Sequence, residues 1–436
     1  MTVTITKSSL TGTLQVPGSK SHTIRAVLLA TLSEGESLIH NPLVSGDGLS
    51  AISAAKAFGA TVTQGEGGVV IQGKGKCLQS PESHIDTRNS GTTTSFVTSM
   101  ASLAEGYTFI TGDEQVRARP IRVLVEALRQ LGVELEITRP NHNAPPLFVK
   151  GGLEGGSVTL DGFNSQFVSS LLLVSPLGKN KTEIHVRKPL EKPYVQMTLD
   201  WIRRFGARIE SDEPLYTHFV IEGGQRYTGG ECTIPSDWSA VAFPLVAALV
   251  SPSSLTITGL NFEDAQGDKR IVELLMAMGA DLTADREAGS LVIKGGKKLK
   301  GGQIIDLGDI PDALPALSVA ALFAQGRTVF TNLAHVRVKE SDRVLVMAEE
   351  LAKLGAEVEI TSDQMIVHGG RPLHGGVVES HGDHRVAMAL TAAALMADGP
   401  VEVKGAECAE VSYPQFFASL AKVGVALSLV SEGVGE

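Results

Sequence analysis

Cysteine is scarce. Cys77, Cys232 and Cys408 are the only three in 436 residues, and no CxxC pair exists, so neither a disulfide framework nor a cysteine-based zinc site fits. A basic excess is missing as well. Against 48 Asp and Glu stand 38 Lys and Arg, for a net charge of −10, the wrong sign for a nucleic-acid surface. Local Lys/Arg clusters in an acidic protein point instead to small anionic ligands. No apolar run reaches membrane-spanning length, and the start, MTVTITKSSLTGTLQV, alternates like a strand without a signal-peptide profile. The expectation is a cytoplasmic, reduced protein. Dinucleotide and nucleotide signatures are lacking too. No GxGxxG follows a strand, and in Gly18-Ser19-Lys20-Ser21 the serine splits the Gly-Lys of a Walker A ending while Leu14 holds the first glycine position.

Glycine, in contrast, is plentiful at 47 residues, while hydrophobic and charged fractions of 43% and 20% are those of an ordinary globular protein. The length calls for two or more domains. An apolar-Gly-Ala/Val phrase closes a helical pattern at Gly59, Gly132, Gly206, Gly279, Gly355 and Gly424, and each time strand-like alternation follows. Gly-Gly pairs at 151–152, 223–224, 295–296 and 369–370 read as turns between short strands. Helices apolar nearly all round (Phe167 to Leu173, Ala240 to Val250, Ala313 to Phe323, Val386 to Met396) belong inside a core. The pattern is one α/β unit repeated six times. Because the last copy lacks a full closing pair, the N-terminal strand, Val3 to Val16, is expected to complete it. Residues 17–228 then form one domain of units one to three. Residues 1–16 plus 229–436 form the other, of units four to six.

Each buried helix opens on polar residues that a core does not need: Gly18 to Ser21 with Arg25; Arg88 to Thr92; Asn164-Ser165-Gln166; Ser236-Asp237; Asp309 to Asp312; His381 to Arg385. Ser, Asn and Asp there are ordinary N-caps. Lys20, Arg25, His384 and Arg385 are not, since cations oppose the dipole at a helix N-terminus; a bound anion explains them better than folding does. Val336-Arg337-Val338-Lys339-Glu340-Ser341-Asp342-Arg343 packs five formal charges into eight residues and opens a helical pattern through Leu345, Ala348, Leu351 and Leu354. Cations to grip anions beside carboxylates to move protons are an enzyme's inventory. His381 and His384 beside Glu379 and Asp383 could pass for metal ligands, but with Arg385 adjacent and no HExxH no metal is expected.

VPGSKS, NSGT at 89–92, RPI at 119–121, SQF at 165–167, KPY at 192–194, IPDA at 310–313, RVKESDR at 337–343, GDHR at 382–385 and SYPQFF at 412–417 occur in this order. In these the chain resembles, over essentially its whole length, the 5-enolpyruvylshikimate-3-phosphate synthase family. The resemblance implies an α/β fold of two inside-out domains, each of three βαβαββ repeats with buried helices, and an active site in the cleft between domains that close on substrate. It implies transfer of the enolpyruvyl group of phosphoenolpyruvate to the 5-hydroxyl of shikimate 3-phosphate through a tetrahedral intermediate, without cofactor, metal, nucleic acid or membrane, in a monomer. Lys20, Gly91, Arg119, Gln166, Arg343 and Arg385 would hold phosphoenolpyruvate, with Glu340 and His384 beside it. Lys20, Ser21, Arg25, Ser165, Gln166, Tyr194, Asp312 and Lys339 would hold shikimate 3-phosphate. Asp312 is the candidate base, and Glu340 the proton carrier at the methylene, with Lys20 its competitor.

Some positions depart from the enterobacterial and plant pattern. Asn164 and Glu191 stand where phosphate-binding serines are common, His335 where an Asn is frequent, Val411 where some members have a Lys, and Ser95-Phe96 where Arg-Pro is usual. Weaker inhibition by glyphosate, the family's phosphoenolpyruvate-competitive inhibitor, is the expected consequence of the last two. Glu191 is expected to turn away and pair with Arg187, Lys188 or Lys192. The sister family that uses UDP-N-acetylglucosamine opens its signature with Lys-Asn, where this chain has Lys20-Ser21. It also carries a reactive Cys in the loop that here runs from Gly112 to Arg119 without one. A non-catalytic anion-binding protein would not need Asp312 and Glu340 so close to phosphates.

Overall fold

A computed structural model describes residues 1–430, and the chain divides into two compact units, Gly18–Ile234 and Met1–Pro17 with Pro235 onward. The first carries helices α1 (Lys20–Thr31), α2 (Gly46–Ala57), α3 (Gly91–Met100), α4 (Arg122–Gln130), α5 (Ser165–Val174) and α6 (Lys192–Arg204). The second carries α7 (Trp238–Val250), α8 (Ile271–Ala277), α9 (Leu314–Leu322), α10 (Arg343–Lys353), α11 (His384–Ala394) and α12 (Phe416–Lys422). The second crossing thus falls beyond the Gly229-Gly230 turn, because Glu231–Thr233 still pairs in parallel with Glu36–His40 of the first unit.

Six sheets repeat one plan: a parallel pair, then two antiparallel neighbours. In the first unit these are built on Glu36–His40, Tyr107–Thr111 and Thr182–Arg187. In the second they are built on Ser254–Thr258, Ala324–Thr331 and Asp398–Lys404. The N-terminal run is not one strand. Thr2–Ile5 lies between Asp398–Lys404 and Leu427–Val430 and completes the sixth sheet, whereas Thr11–Gln15 pairs in parallel with Ser254–Thr258 of the fourth. The apolar positions change phase across the break, from Val3 and Ile5 to Leu10, Leu14 and Val16, with no Gly or Pro between Ile5 and Thr11 to mark a turn. The turn is fixed by its partners: Ser8 Oγ accepts from the Ala426 amide, and the Leu10 amide donates to Ser253 Oγ.

The even-numbered helices each end on one of the repeated glycines, with φ of 93° at Gly59, 88° at Gly132, 92° at Gly206, 89° at Gly279, 91° at Gly355 and 106° at Gly424. Only glycine takes that left-handed exit without steric cost, and the chain can then turn straight into the next strand. The odd-numbered helices are the core. Every residue of α7, α9 and α11 is buried, and the three pack on one another. A backbone must come close to these helices where the strands pass their C-terminal ends: a Cβ on Gly295 would sit 1.9 Å from the Ala248 carbonyl oxygen of α7. Among the described residues no helix is long and apolar enough to cross a membrane.

Candidate functional site

Along α1, α3 and α5 the residues not fully buried are Ser21, Gly91, Thr92 and Gln166. All four lie in the first turn. These helices therefore expose only their N-termini, where backbone N–H groups and the dipole favour anions. The polar groups of the first unit assemble around these ends. Lys20, 8% exposed, stands 3.6 Å from Asp47 of α2. Arg119 Nη2 donates to Asn89 Oδ1 at 2.9 Å, and its Nη1 lies 2.6 Å from where a Gly91 Cβ would be. Gln166 Nε2 donates to Thr92 Oγ1, tying α5 to α3. Asn164 caps α5 by accepting from the Gln166 amide.

Arg25 has a structural role as well as the anion-binding one expected of it. It is 1% exposed and donates to Thr198 Oγ1 at 2.8 Å, the Ser21 carbonyl at 3.0 Å and the Tyr194 carbonyl at 3.1 Å, which joins α1 to α6. Its guanidinium lies over the fully buried Phe96 ring. Burial pushes it down to about 10, against the charges of Tyr194 and Glu191. Phe96 is thus part of the floor beneath a cation. Ser95 Oγ turns back to the Gly91 carbonyl. Glu191 is a correction. It turns inward, 2% exposed, to accept from the Ser165 amide and hydroxyl, while Arg187 pairs with Asp161.

In the second unit the charged stretch is a short 3-10 turn, Ala334–Val338, and α10 begins only at Arg343, capped by Asp342, which accepts from the Leu345 amide. Leu345 is 39% exposed, so the buried face runs through Val344, Met347, Ala348 and Leu351 instead. That phase puts Arg343 inside. Wholly buried, it meets three carboxylates: Nε donates to Asp383 at 2.8 Å, Nη1 to Asp312 at 2.6 Å and Nη2 to Glu340 at 2.6 Å. Arg385 Nη2 reaches the other Asp312 oxygen at 2.9 Å. Asp383 caps α11 through the Arg385 amide and also accepts from Ser341 Oγ. His384, 2% exposed, opens the same helix.

The electrostatics follow from this packing. Burial alone would raise the Asp312 carboxyl, but the charges of Arg385, Arg343 and Lys339 outweigh it and hold it well below the usual carboxylate range. Burial likewise opposes the Arg343 charge, and Asp383, Glu340 and Asp312 overcome that to keep it protonated. Asp312, Lys339, Glu340, Arg343 and Arg385 are thus one electrostatic cluster, with His384 between Asp383 and Arg385. Asp383 is readable in the sequence as an N-cap, from its place just before an apolar helix, but not as a partner of Arg343 and Ser341. Asp47 left no such signal.

Glu350 supports the loop that carries this helix start. The carboxylate is 1% exposed and accepts from His381 Nε2, Lys353 Nζ and the Glu379 amide. His381 is therefore a tether to α10. Burial would lift Glu350, and the bonds from His381, Lys353 and the Glu379 amide bring it below its ordinary value instead. A depressed folded value means stability that is present above the unfolded carboxylate value of about 4.3 and is lost as pH falls through the folded one. Glu350→Gln is expected to lower the melting temperature at pH 7 and to flatten its fall between about pH 5 and pH 3. An unchanged melting curve at both ends would remove this role.

Residues 5–420 match the family described as EPSP synthase (3-phosphoshikimate 1-carboxyvinyltransferase). The 3-phosphoshikimate 1-carboxyvinyltransferase of Ruminiclostridium cellulolyticum is 41% identical over 430 residues, which are 99% of this chain and 100% of the relative. That of Methanosarcina acetivorans is 41% identical over 435 residues, again 99% and 100% of the two chains. A solved structure of EPSP synthase from Acinetobacter baumannii superposes with a TM-score of 0.82 at 29% identity, covering 99% of this chain and 100% of that one.

Proposed function

The chain belongs to the EPSP synthase family, and from that premise we propose how its residues move the carboxyvinyl group of phosphoenolpyruvate onto shikimate 3-phosphate. That transfer is its activity, a step of the shikimate pathway of aromatic amino-acid biosynthesis. Lys20, Arg119, Gln166, Arg343 and Arg385 grip phosphoenolpyruvate, with Gly91 leaving room for it. The planar forks of the arginines suit its carboxylate and phosphate. Lys20, Ser21, Arg25, Ser165, Gln166, Tyr194 and Lys339 hold the acceptor, and Asp312 faces its 5-hydroxyl.

Asp312 takes the hydroxyl proton as the acceptor oxygen bonds to the enol carbon, and Glu340 protonates the methylene, with Lys20 the competing donor and His384 beside them. In the tetrahedral intermediate the bond to the phosphate oxygen then breaks. Phosphate leaves, and a methyl proton returns to the group that delivered it. The observation that carries this reading is the engagement of Asp312 with both Arg343 and Arg385. A base held that firmly anionic is a weak one. When the donor's carboxylate takes over the two guanidiniums, their hold on Asp312 relaxes and its affinity for a proton rises, so the base becomes competent only with donor bound.

A coupled phosphate-release assay with shikimate 3-phosphate and UDP-N-acetylglucosamine offered separately tests the reading. Turnover is expected with the first alone, and turnover with the second alone would overturn it. The three free thiols fit the reducing cytoplasm in which we place the chain, as a monomer that light scattering can check. Gly91→Ala gives a sharper test of the donor groups. Its methyl would push the Arg119 guanidinium aside, and a charged hydrogen bond to phosphate is worth enough to raise the KM for phosphoenolpyruvate roughly tenfold or more. The KM for the acceptor should stay within about twofold; an equal rise in both would point to a general distortion.

A further inference from the structure

Glu191 is placed as a ligand would be. Its backbone is left-handed, φ 53° and ψ 36°, at the N-cap of α6, and its amide-to-carbonyl neighbour is Tyr194, whose N–H donates to the Glu191 carbonyl at 3.0 Å. From there the side chain reaches across to the first residue of α5. One carboxylate oxygen accepts from the Ser165 amide at 3.0 Å and from the Ser165 hydroxyl at 2.6 Å. The carboxylate also lies within the field of Arg25, buried beside it and bonded to the Tyr194 carbonyl. A helix N-terminal amide, a serine hydroxyl and a buried guanidinium are the groups that bind a phosphate or another oxyanion. A carboxylate of the chain itself occupies the first two here and lies in the field of the third.

Resting on the reading that Ser165 and Arg25 hold the acceptor, we propose that Glu191 is an internal anion that fills the acceptor's phosphate subsite in the ligand-free chain. The acceptor's phosphate must displace it to bind. The Ser165 amide and hydroxyl have one hydrogen each and cannot serve both anions fully, and a dianion beside a retained carboxylate would meet direct repulsion. Glu191 is therefore a specificity-determining residue. It sets how strongly negative an acceptor group must be to win the site, and it keeps Arg25 compensated when no acceptor is present. Once displaced, the carboxylate has Lys188 and Lys192 within three residues along the chain to turn toward. A left-handed non-glycine residue persists only where its surroundings hold it there. This one is held at a site whose partner changes.

The test uses the full-length chain with Glu191→Gln, which keeps an acceptor for Ser165 but no charge, and Glu191→Gly, which removes the side chain and suits the left-handed backbone. Inorganic phosphate and shikimate 3-phosphate are titrated by calorimetry, and steady-state KM values are measured for both substrates. Both variants are expected to bind phosphate and the acceptor about tenfold or more tighter than the parent chain, with the KM for phosphoenolpyruvate within about twofold. Unchanged or weaker acceptor binding in both variants, with the parent melting temperature kept, overturns the proposal. Ser165→Ala separates the two levels of failure. If it weakens the acceptor while the Glu191 variants gain nothing, Ser165 is a ligand and Glu191 is not its competitor. If it changes nothing, the assignment of Ser165 to the acceptor falls with the proposal.

Discussion

Replacing Asp312 by asparagine is expected to cut kcat by about 10²–10⁴-fold, the usual contribution of a positioned base. The KM values should change only a few fold, because asparagine keeps one oxygen for a guanidinium and nearly the same volume. The structure makes the alternative specific. Asp312 bridges Arg343 and Arg385 with one oxygen each, and an amide can accept from only one of them. Should its real work be to hold the two arginines for the donor, Asp312→Asn would raise the KM for phosphoenolpyruvate and leave kcat nearly intact. Single-turnover measurement of phosphate release, with both substrates saturating, reads the chemical step directly. A chemical step within about threefold of the parent rate would rule Asp312 out as the base.

Arg343 carries the largest expected effect on stability. It touches Asp383, Asp312 and Glu340 together, and its side chain has no solvent to share the load. Arg343→Leu strips those carboxylates of that charge inside the protein, which is expected to cost about 3–5 kcal/mol. Arg343→Lys keeps the charge but loses the planar fork. It should recover part of that stability while leaving kcat/KM for phosphoenolpyruvate lower by roughly 10²-fold, since an ammonium cannot make two parallel bonds to a carboxylate. Trp238, in α7 of the same unit, reports urea unfolding there once Trp201 is replaced by Phe. A parent-like midpoint for Arg343→Leu would mean that water or a rearranged Arg385 compensates the cluster.

Acid should act on this cluster, and on Glu350, from the other side. Because Asp312 and Glu350 both sit below their ordinary values, each contributes stability above the unfolded carboxylate range and surrenders it as pH falls through its folded value. The Asp312 share should therefore be lost only at pH values well below those that protonate an exposed aspartate.

Local and periodic features were legible without coordinates. A glycine after the last apolar turn takes a left-handed exit without steric cost, and the six of them stand at the ends of six helices. Helices with no polar face could only be internal, and α7, α9 and α11 are. The candidate site residues could be named from their motifs, since backbone N–H groups at a helix start attract anions whatever the tertiary setting. The N-terminal run reads as one strand for an equally local reason: no Gly or Pro stands between Ile5 and Thr11, and one slip of phase, from Val3 and Ile5 to Leu10, Leu14 and Val16, is a faint sign of a turn.

Direction and partnership were decided by the tertiary structure. No pattern along the chain says that Arg25 spends three hydrogen bonds joining α1 to α6, or that Glu191 turns inward to the Ser165 amide and hydroxyl. Nor could the sequence tell that Leu345 looks outward while Arg343, two residues earlier, is enclosed by Asp312, Glu340 and Asp383. Charge pairing depends on distances between residues far apart in the chain, and burial multiplies the strength of each pair. The sequence by itself determined which groups we propose to hold anions and move protons, because identity and helix position are local. Packing alone decided which of those groups hold one another until a substrate arrives.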